Sequence, residues 1–302
     1  MVDFAFLDSG TGGIPYMLSL HKKLSDAQCV YLGDTAHFPY GEKSGKEVTE
    51  CASSAIQKII DLWNPKAVVI ACNTISVTAL EPLRARFKNL PIIGTVPAIK
   101  VAAEITKNKK IGLLATTATV NHPYCQKLIK DFASDCQVFM RADPLLIDFI
   151  EKKYFNADEN ERLSAVKEAA DFFKEKGCDT VILGCTHFTH IADEMQKACG
   201  SQIKVIDSRD GVANQAIRKI HTSTRLSDHE EGDSSLPLGM TEEKSLGMTE
   251  EKSLGMTEEK SLGMTADVEN LAFFVTKANE SELSEYKKLC ENLNIPFGGV
   301  TR

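Results

Sequence analysis

The chain has 302 residues, 43% of them apolar and 25% charged, a globular mix that excludes collagenous, mucin-like and wholly disordered classes and fits one large domain or two medium ones. Its formal charge of −7 argues against a nucleic-acid binder. Residues 228–265 hold ten acids and three bases and so carry all of that charge, while the other 264 residues balance at 32 acids and 32 bases.

Apolar runs suited to buried parallel strands fall at 4–7, 30–32, 67–71, 111–114, 138–140, 180–183, 203–206 and 271–275. Helical stretches are expected between them at 46–62, 76–88, 98–107, 123–133, 159–176, 190–199, 211–220 and 282–292. In the first of these, Val48, Cys51, Ala52, Ala55, Ile56 and Ile59 recur at helical spacing. Strands alternating with helices, the strands apolar almost throughout, indicate an α/β fold of mainly parallel sheets with helices on both faces.

Late in the chain, Leu-Gly-Met-Thr-Glu-Glu-Lys-Ser occurs three times over 238–261, and a fourth copy begins at 262. A glycine every eight residues weakens a helix, and the unit is far shorter than solenoid repeats. Composition favours a solvated, low-complexity insertion at about 226–267, bulging from the surface, over an acidic docking tail. The N-terminus lacks a basic stretch ahead of an apolar one, so no signal peptide is expected. No run approaches the roughly 18 apolar residues of a membrane span. Nine cysteines without regular spacing fit a reducing cytoplasm better than a disulfide framework.

A longer repeat is more informative. Residues 67–74, Ala-Val-Val-Ile-Ala-Cys-Asn-Thr, read almost like 180–187, Thr-Val-Ile-Leu-Gly-Cys-Thr-His, and a weaker match pairs 5–9 with 112–116, ending on Ser9 and Thr116. Two similar α/β units explain this: a discontinuous first domain of 1–95 plus 208–302, and a second of 96–207. If they face each other about a pseudo-two-fold axis, the site lies in the cleft between them.

Ligands of open parallel sheets bind beyond the carboxyl ends of the strands. Four polar clusters stand there: Asp8-Ser9-Gly10, Gly33-Asp34 through Tyr40-Gly41, Cys72-Asn73-Thr74, and Cys185-Thr186-His187. Cys72 and Cys185 are equivalent in the repeat, so two thiols are expected to face one cleft from opposite sides. Inverting a stereocentre beside a carboxylate needs a base on one face and an acid on the other, and a thiolate with a thiol supplies both. A helix start after each cysteine, capped by Asn73-Thr74 or Thr186, would bring the thiols nearer neutrality and would bind a carboxylate. His187 is placed to assist Cys185, and Asp8, at a strand end, to stand beside Cys72. Cys185-x-His187 has no second local pair at zinc spacing, Pro15 occupies the third glycine of a dinucleotide fingerprint, and no P-loop is present. The other seven cysteines read as structural.

Asp8-Ser9-Gly10-x-Gly12-Gly13, Gly33-Asp34-Thr35-Ala36-x-x-Pro39-Tyr40-Gly41, Ala71-Cys72-Asn73-Thr74 and Gly184-Cys185-Thr186-His187 together resemble the glutamate racemase family, within the cofactor-independent aspartate/glutamate racemase superfamily. The resemblance covers nearly the whole chain except about 226–267. It implies interconversion of L- and D-glutamate without cofactor or metal, feeding peptidoglycan synthesis in a bacterial cytoplasm, with no nucleic-acid or membrane partner and with room for a homodimer. By motif, Cys72 would deprotonate D-glutamate and Cys185 L-glutamate, with Asp8 and His187 assisting. Asp8, Ser9, Tyr40, Gly41, Asn73, Thr74, Thr186 and His187 would line the substrate site, and Glu151, after Pro144-Leu145, would join it. The chain departs from the family at Phe188-Thr189-His190, at Ile14-Pro15-Tyr16 and at Asp143, where cysteine is common. The competing readings are racemisation of aspartate or another amino acid, and a non-catalytic binding protein that uses the acidic repeats.

Overall fold

The computed structural model describes residues 2–230 and 270–301. In chain order the strands are β1 (Phe4–Asp8), β2 (Cys29–Gly33), β3 (Ala67–Ile70), β4 (Ile92–Gly94), β5 (Lys110–Ala115), β6 (Gln137–Ala142), β7 (Thr180–Leu183), β8 (Lys204–Ile206), β9 (Leu271–Val275) and β10 (Phe297–Val300). The helices are α1 (Ile14–Lys23), α2 (Gly45–Trp63), α3 (Asn73–Arg86), α4 (Ile99–Ile105), α5 (Thr117–Asn121), α6 (Pro123–Phe132), α7 (Pro144–Lys152), α8 (Glu159–Glu175), α9 (Ala192–Cys199), α10 (Arg209–Glu230) and α11 (Glu280–Leu293).

The expected α/β architecture is present, in two sheets. One has six strands in the order β10-β9-β2-β1-β3-β4, the other four in the order β6-β5-β7-β8, and every pairing is parallel. The sequence repeat is thus a repeat of topology: β2-β1-β3-β4 and β6-β5-β7-β8 wind alike. The larger sheet gains two further strands beyond β2, β9 and then β10 at the edge, from the C-terminal segment.

Alternation along β1 explains why both sheet faces are covered. Phe4 and Phe6 enter one apolar cluster with Tyr31 and Phe273, while Ala5 and Leu7 enter another with Ile56, Ile59 and Leu83. Each buried phenylalanine contributes about 1.5–3 kcal/mol. Phe173 and Val181 lie on one face of the smaller sheet, and Ile111, Leu113 and Ile182 on the other. Local signals set the helix ends. Capping boxes start α2 at Ser44 and Glu47, α8 at Asp158 and Glu161, and α11 at Asn279 and Glu282. Asn64 and Asn294 stop α2 and α11 in the left-handed region.

The differences from expectation have physical reasons. β4 spans only three residues and β10 carries Gly298-Gly299, so neither gives a strand-length apolar run. α1 begins after Gly12-Gly13 and has Pro15 in its first turn, where proline is favoured rather than disruptive. α10 continues ten residues beyond the expected 220, so residues 226–230 of the expected insertion are helical. The octapeptide repeats lie outside the described residues. Asp143, the departure at a common cysteine position, caps α7 by accepting the Leu146 N–H at 3.1 Å and pairs with Arg141.

The sheet orders locate the site. From β1 the chain winds first to β2 on one side and then to β3 on the other, so the winding reverses between β1 and β3. In the smaller sheet it reverses between β5 and β7. A crevice opens beyond the carboxyl ends at each such reversal.

Candidate active site

Asp8 ends β1, Cys72 comes just after β3, Thr116 after β5 and Cys185 after β7, so the two reversals present one carboxylate, two thiols and one hydroxyl. These groups line a single cavity of about 220 Å³, together with Ser9, Tyr40, Gly41, Asn73, Thr74, Thr186 and His187. That volume is below the roughly 300–1,000 Å³ of drug-sized sites and suits a metabolite. All ten core residues expected from sequence, catalytic and lining together, share this one cavity. Glu151 does not line it. Thr116, Thr117, Pro144, Ile147, Glu42 and Asp148 do; of these the sequence marks only Pro144, ahead of Glu151, and Thr116, which the weaker repeat pairs with Ser9.

Cys72 is the N-cap residue of α3. Burial pushes its thiol well up, the Asp8 carboxylate pushes the same way, and the Ile75 N–H opposes both. Burial raises Asp8 as well, against the lowering effect of His187, Thr186, Ser9 and Cys72. One Asp8 oxygen, Oδ1, accepts the Ser9 N–H at 2.6 Å. The side chains of Asp8 and Cys72 therefore stand together in a site where charge on either is costly.

Cys185 has a different setting. The expected helix start after it is replaced by a 3₁₀ turn at His187–Thr189, and α9 begins only at Ala192. Thr189 Oγ1 donates back to the Thr186 carbonyl at 2.7 Å, a local bond that competes with helix propagation. This turn sets His187 Nδ1 3.7 Å from Cys185 Sγ, while its Nε2 lies 2.7 Å from Glu151 Oε2. Burial alone would lower His187, but its bonds to Cys185 and Glu151 outweigh that and raise it well above 6.5. Glu151 is the reciprocal case: burial opposes its charge, and His187 with Thr11 still holds its carboxyl below the ordinary value. Cys185, His187 and Glu151 thus form a line leading away from the cavity, with Glu151 behind His187.

Two further residues differ from the simplest expectation. Tyr40 faces the cavity, but its hydroxyl donates to buried Asp34 Oδ2 at 2.5 Å. Asp34 also accepts from Thr276 Oγ1 at 2.9 Å and contacts His37 Nδ1 at 2.8 Å. Tyr40 can therefore offer a ligand its ring and backbone more readily than its hydroxyl. Asn73 is 2% exposed, and neither atom of its side-chain amide has a hydrogen-bond partner among the described residues. Such a buried amide is costly unless a ligand satisfies it. Beside it, Thr74 Oγ1 and Thr116 Oγ1 meet at 3.2 Å across the cleft. Among the described residues no lysine or arginine lines the cavity. Its anion-binding capacity lies in the first-turn amides of α3 and in His187. Among the described residues no group of three or more His, Cys, Asp or Glu side chains is arranged to hold a metal ion, and no helix is long and apolar enough to cross a membrane.

Residues 16–216 match the model of the Asp/Glu/Hydantoin racemase family. A glutamate racemase of Treponema pallidum is 41% identical over 223 residues, covering 74% of this chain and 83% of that protein. One from Glaesserella parasuis is 39% identical over 228 residues, covering 75% and 84%. The crystal structure of Escherichia coli glutamate racemase with L-glutamate and the activator UDP-MurNAc-Ala superposes with a TM-score of 0.75 at 26% identity, covering 99% of this chain and 97% of that one.

Proposed function

The chain belongs to the Asp/Glu/Hydantoin racemase family, and from that premise we propose that it interconverts L- and D-glutamate by exchanging the Cα proton between two thiols. The observation that carries this reading is the placement of Cys72 and Cys185, at equivalent strand ends of two similarly wound sheets, on one cavity of about 220 Å³. The identity to proteins named glutamate racemase supports glutamate as the substrate.

In this reading the α-carboxylate rests on the α3 amides and the Asn73 side chain, where a buried amide lacks a partner. The Cys72 thiolate removes the proton from D-glutamate while the Cys185 thiol protonates the opposite face, and the roles reverse for L-glutamate. No net proton is consumed. Asp8 attends Cys72. His187, oriented by Glu151, supports the Cys185 thiolate as an imidazolium partner. The product would feed peptidoglycan synthesis in the cytoplasm. We further take the chain to divide into units of 1–95 with 208–302, and 96–207, with the cavity between them.

Racemisation in deuterated water, started separately from each enantiomer and monitored by circular dichroism and mass spectrometry, tests this. Loss of optical activity with solvent deuterium entering mainly the inverted product is expected. Cys72→Ala and Cys185→Ala should each lower the rate by more than about 10³-fold. An intact rate in either variant would sink the two-thiol account.

A further inference from the structure

The Gly10-Thr11-Gly12 turn follows Asp8 at the end of β1, yet it packs against the opposite half of the cleft. A Cβ on Gly10 would lie 2.7 Å from Glu151 Oε1, and one on Gly12 would lie 2.7 Å from His187 Nδ1. Between these two close approaches, buried Thr11 donates its hydroxyl to Glu151 Oε2 at 2.8 Å. Its N–H also points to both carboxylate oxygens, at 3.2 and 3.3 Å. Its carbonyl accepts from His190 Nε2 at 3.3 Å. Tyr31 braces the turn from behind, accepting the Gly13 N–H and donating to the Gly10 carbonyl, each at 2.9 Å.

Resting on the reading of Cys185 and His187 given above, we propose that Thr11 is a positioning residue for proton transfer at Cys185: its hydroxyl fixes Glu151, and Glu151 fixes the His187 ring so that Nδ1 faces the thiol. An ionised carboxylate only accepts hydrogen bonds, so each donor on Glu151 favours its charged form and limits its rotation. Glu151 in turn stabilises the His187 imidazolium. The other titratable groups around Glu151 are His190, Tyr31 and Tyr286, with Glu285 and adjacent Lys152 sharing the neighbouring cleft. Lys152 is paired with Asp148. No other neighbour supplies a hydroxyl to Glu151 among the hydrogen bonds of the described residues. The donor thus comes from the first half of the molecule and serves the thiol of the second.

A purely structural tie between the halves would behave differently. Thr11 does not line the cavity, so losing its hydroxyl should slow turnover and leave substrate binding nearly unchanged. Thr11→Val removes the hydroxyl at almost constant shape, Thr11→Ala removes it without the added methyl, and Thr11→Ser retains it. Expected are a fall in kcat of about tenfold in both hydroxyl-free variants, with KM within about twofold of the parent, and recovery in Thr11→Ser. The His187 Nε2–H resonance in ¹⁵N-histidine-labelled protein should shift in Thr11→Val and return in Thr11→Ser. An unchanged kcat, or a change confined to KM, overturns the proposal. A parent protein inert toward glutamate would overturn the substrate reading instead. The His187 resonance then decides for Thr11: a shift reversed by serine supports it, and no shift refutes it.

Discussion

Replacing Gly12 by alanine probes the close approach on which the Cys185 side depends. The added Cβ would meet His187 Nδ1 at 2.7 Å and the His187 backbone N at 2.8 Å. The backbone contact matters because side-chain rotation cannot relieve it. Gly12 lies outside the left-handed region, so the substitution acts through volume alone. Moving from 2.7 Å to the 3.4 Å of ordinary contact requires a retreat of about 0.7 Å. The ring cannot retreat freely, since Glu151 holds its far nitrogen at 2.7 Å. The 3.7 Å contact to Cys185 is therefore the one that lengthens. A misplacement of this size is expected to cost about 10²-fold in kcat, and the overpacking about 1–3 kcal/mol of stability. Circular dichroism of glutamate racemisation and urea unfolding measure the two effects. Gly211→Ala is the matched control: it adds a Cβ with nothing within 4 Å, in α10, where alanine is the better helix former by about 1 kcal/mol. A folded Gly12→Ala protein turning over within threefold of the parent would refute the reasoning.

Tyr40→Phe should weaken folding by about 1–3 kcal/mol, because Asp34 loses a buried donor, and should leave KM for glutamate within about twofold. A tenfold rise in KM would show instead that the hydroxyl touches substrate. Burial first, and neighbouring His187 second, hold His190 down to about 4 against an ordinary 6.5. Between those values the unfolded chain binds a proton that the folded one does not, so stability falls as pH drops through that window, by on the order of 3 kcal/mol. His190→Gln should flatten this slope in urea titrations at pH 7 and pH 4.5, whatever it does to stability at neutral pH. Parallel slopes for parent and variant would contradict the assignment.

The part of the site legible in the sequence is the part that strand ends and repeats encode. Cys72 and Cys185 are legible because each ends a short apolar run, and because the runs match. Asp8, Ser9, Asn73, Thr74 and Thr186 are legible for the same reason. Thr116 carries a signal too, as the partner of Ser9 in the weaker repeat, but without polar neighbours of recognisable motif. Thr11 has none: it meets Glu151 across 140 positions of chain, and periodicity does not encode such a contact. The likeness of the two cysteine motifs also misleads. Asn73 continues into α3, whereas Thr186 and Thr189 close on each other in a short turn. Thr189, two positions after the matched segment, makes this bond, and the backbone path downstream of the thiol differs. Tyr40 is legible as a wall of the site, but the destination of its hydroxyl depends on where Asp34 lies, behind the wall.

The unlike settings of the two thiols bear on the charge arithmetic of the chain. The net −7 resides in residues 228–265, and the remainder is balanced, so attraction of the two carboxylates of the substrate in the proposed reaction falls to groups at the cavity itself. Among the described residues, those lining it include the acids Asp8, Glu42 and Asp148 but no lysine or arginine. Burial pushes Asp8 up, which softens its repulsion of an entering carboxylate. The α3 amides and the His187 imidazolium supply positive potential only within a turn's reach. Cys72 then sits beside a buried carboxyl and Cys185 beside an imidazolium, although both occupy the same place in the fold. Racemisation tolerates this inequality. Enantiomers have equal free energy in water, so the equilibrium constant is one, and any advantage one thiol gives to turnover in its direction must be matched in KM. In the proposed exchange the two thiols need not be identical bases: they share one proton, which sits on Cys185 when D-glutamate binds and on Cys72 when L-glutamate binds.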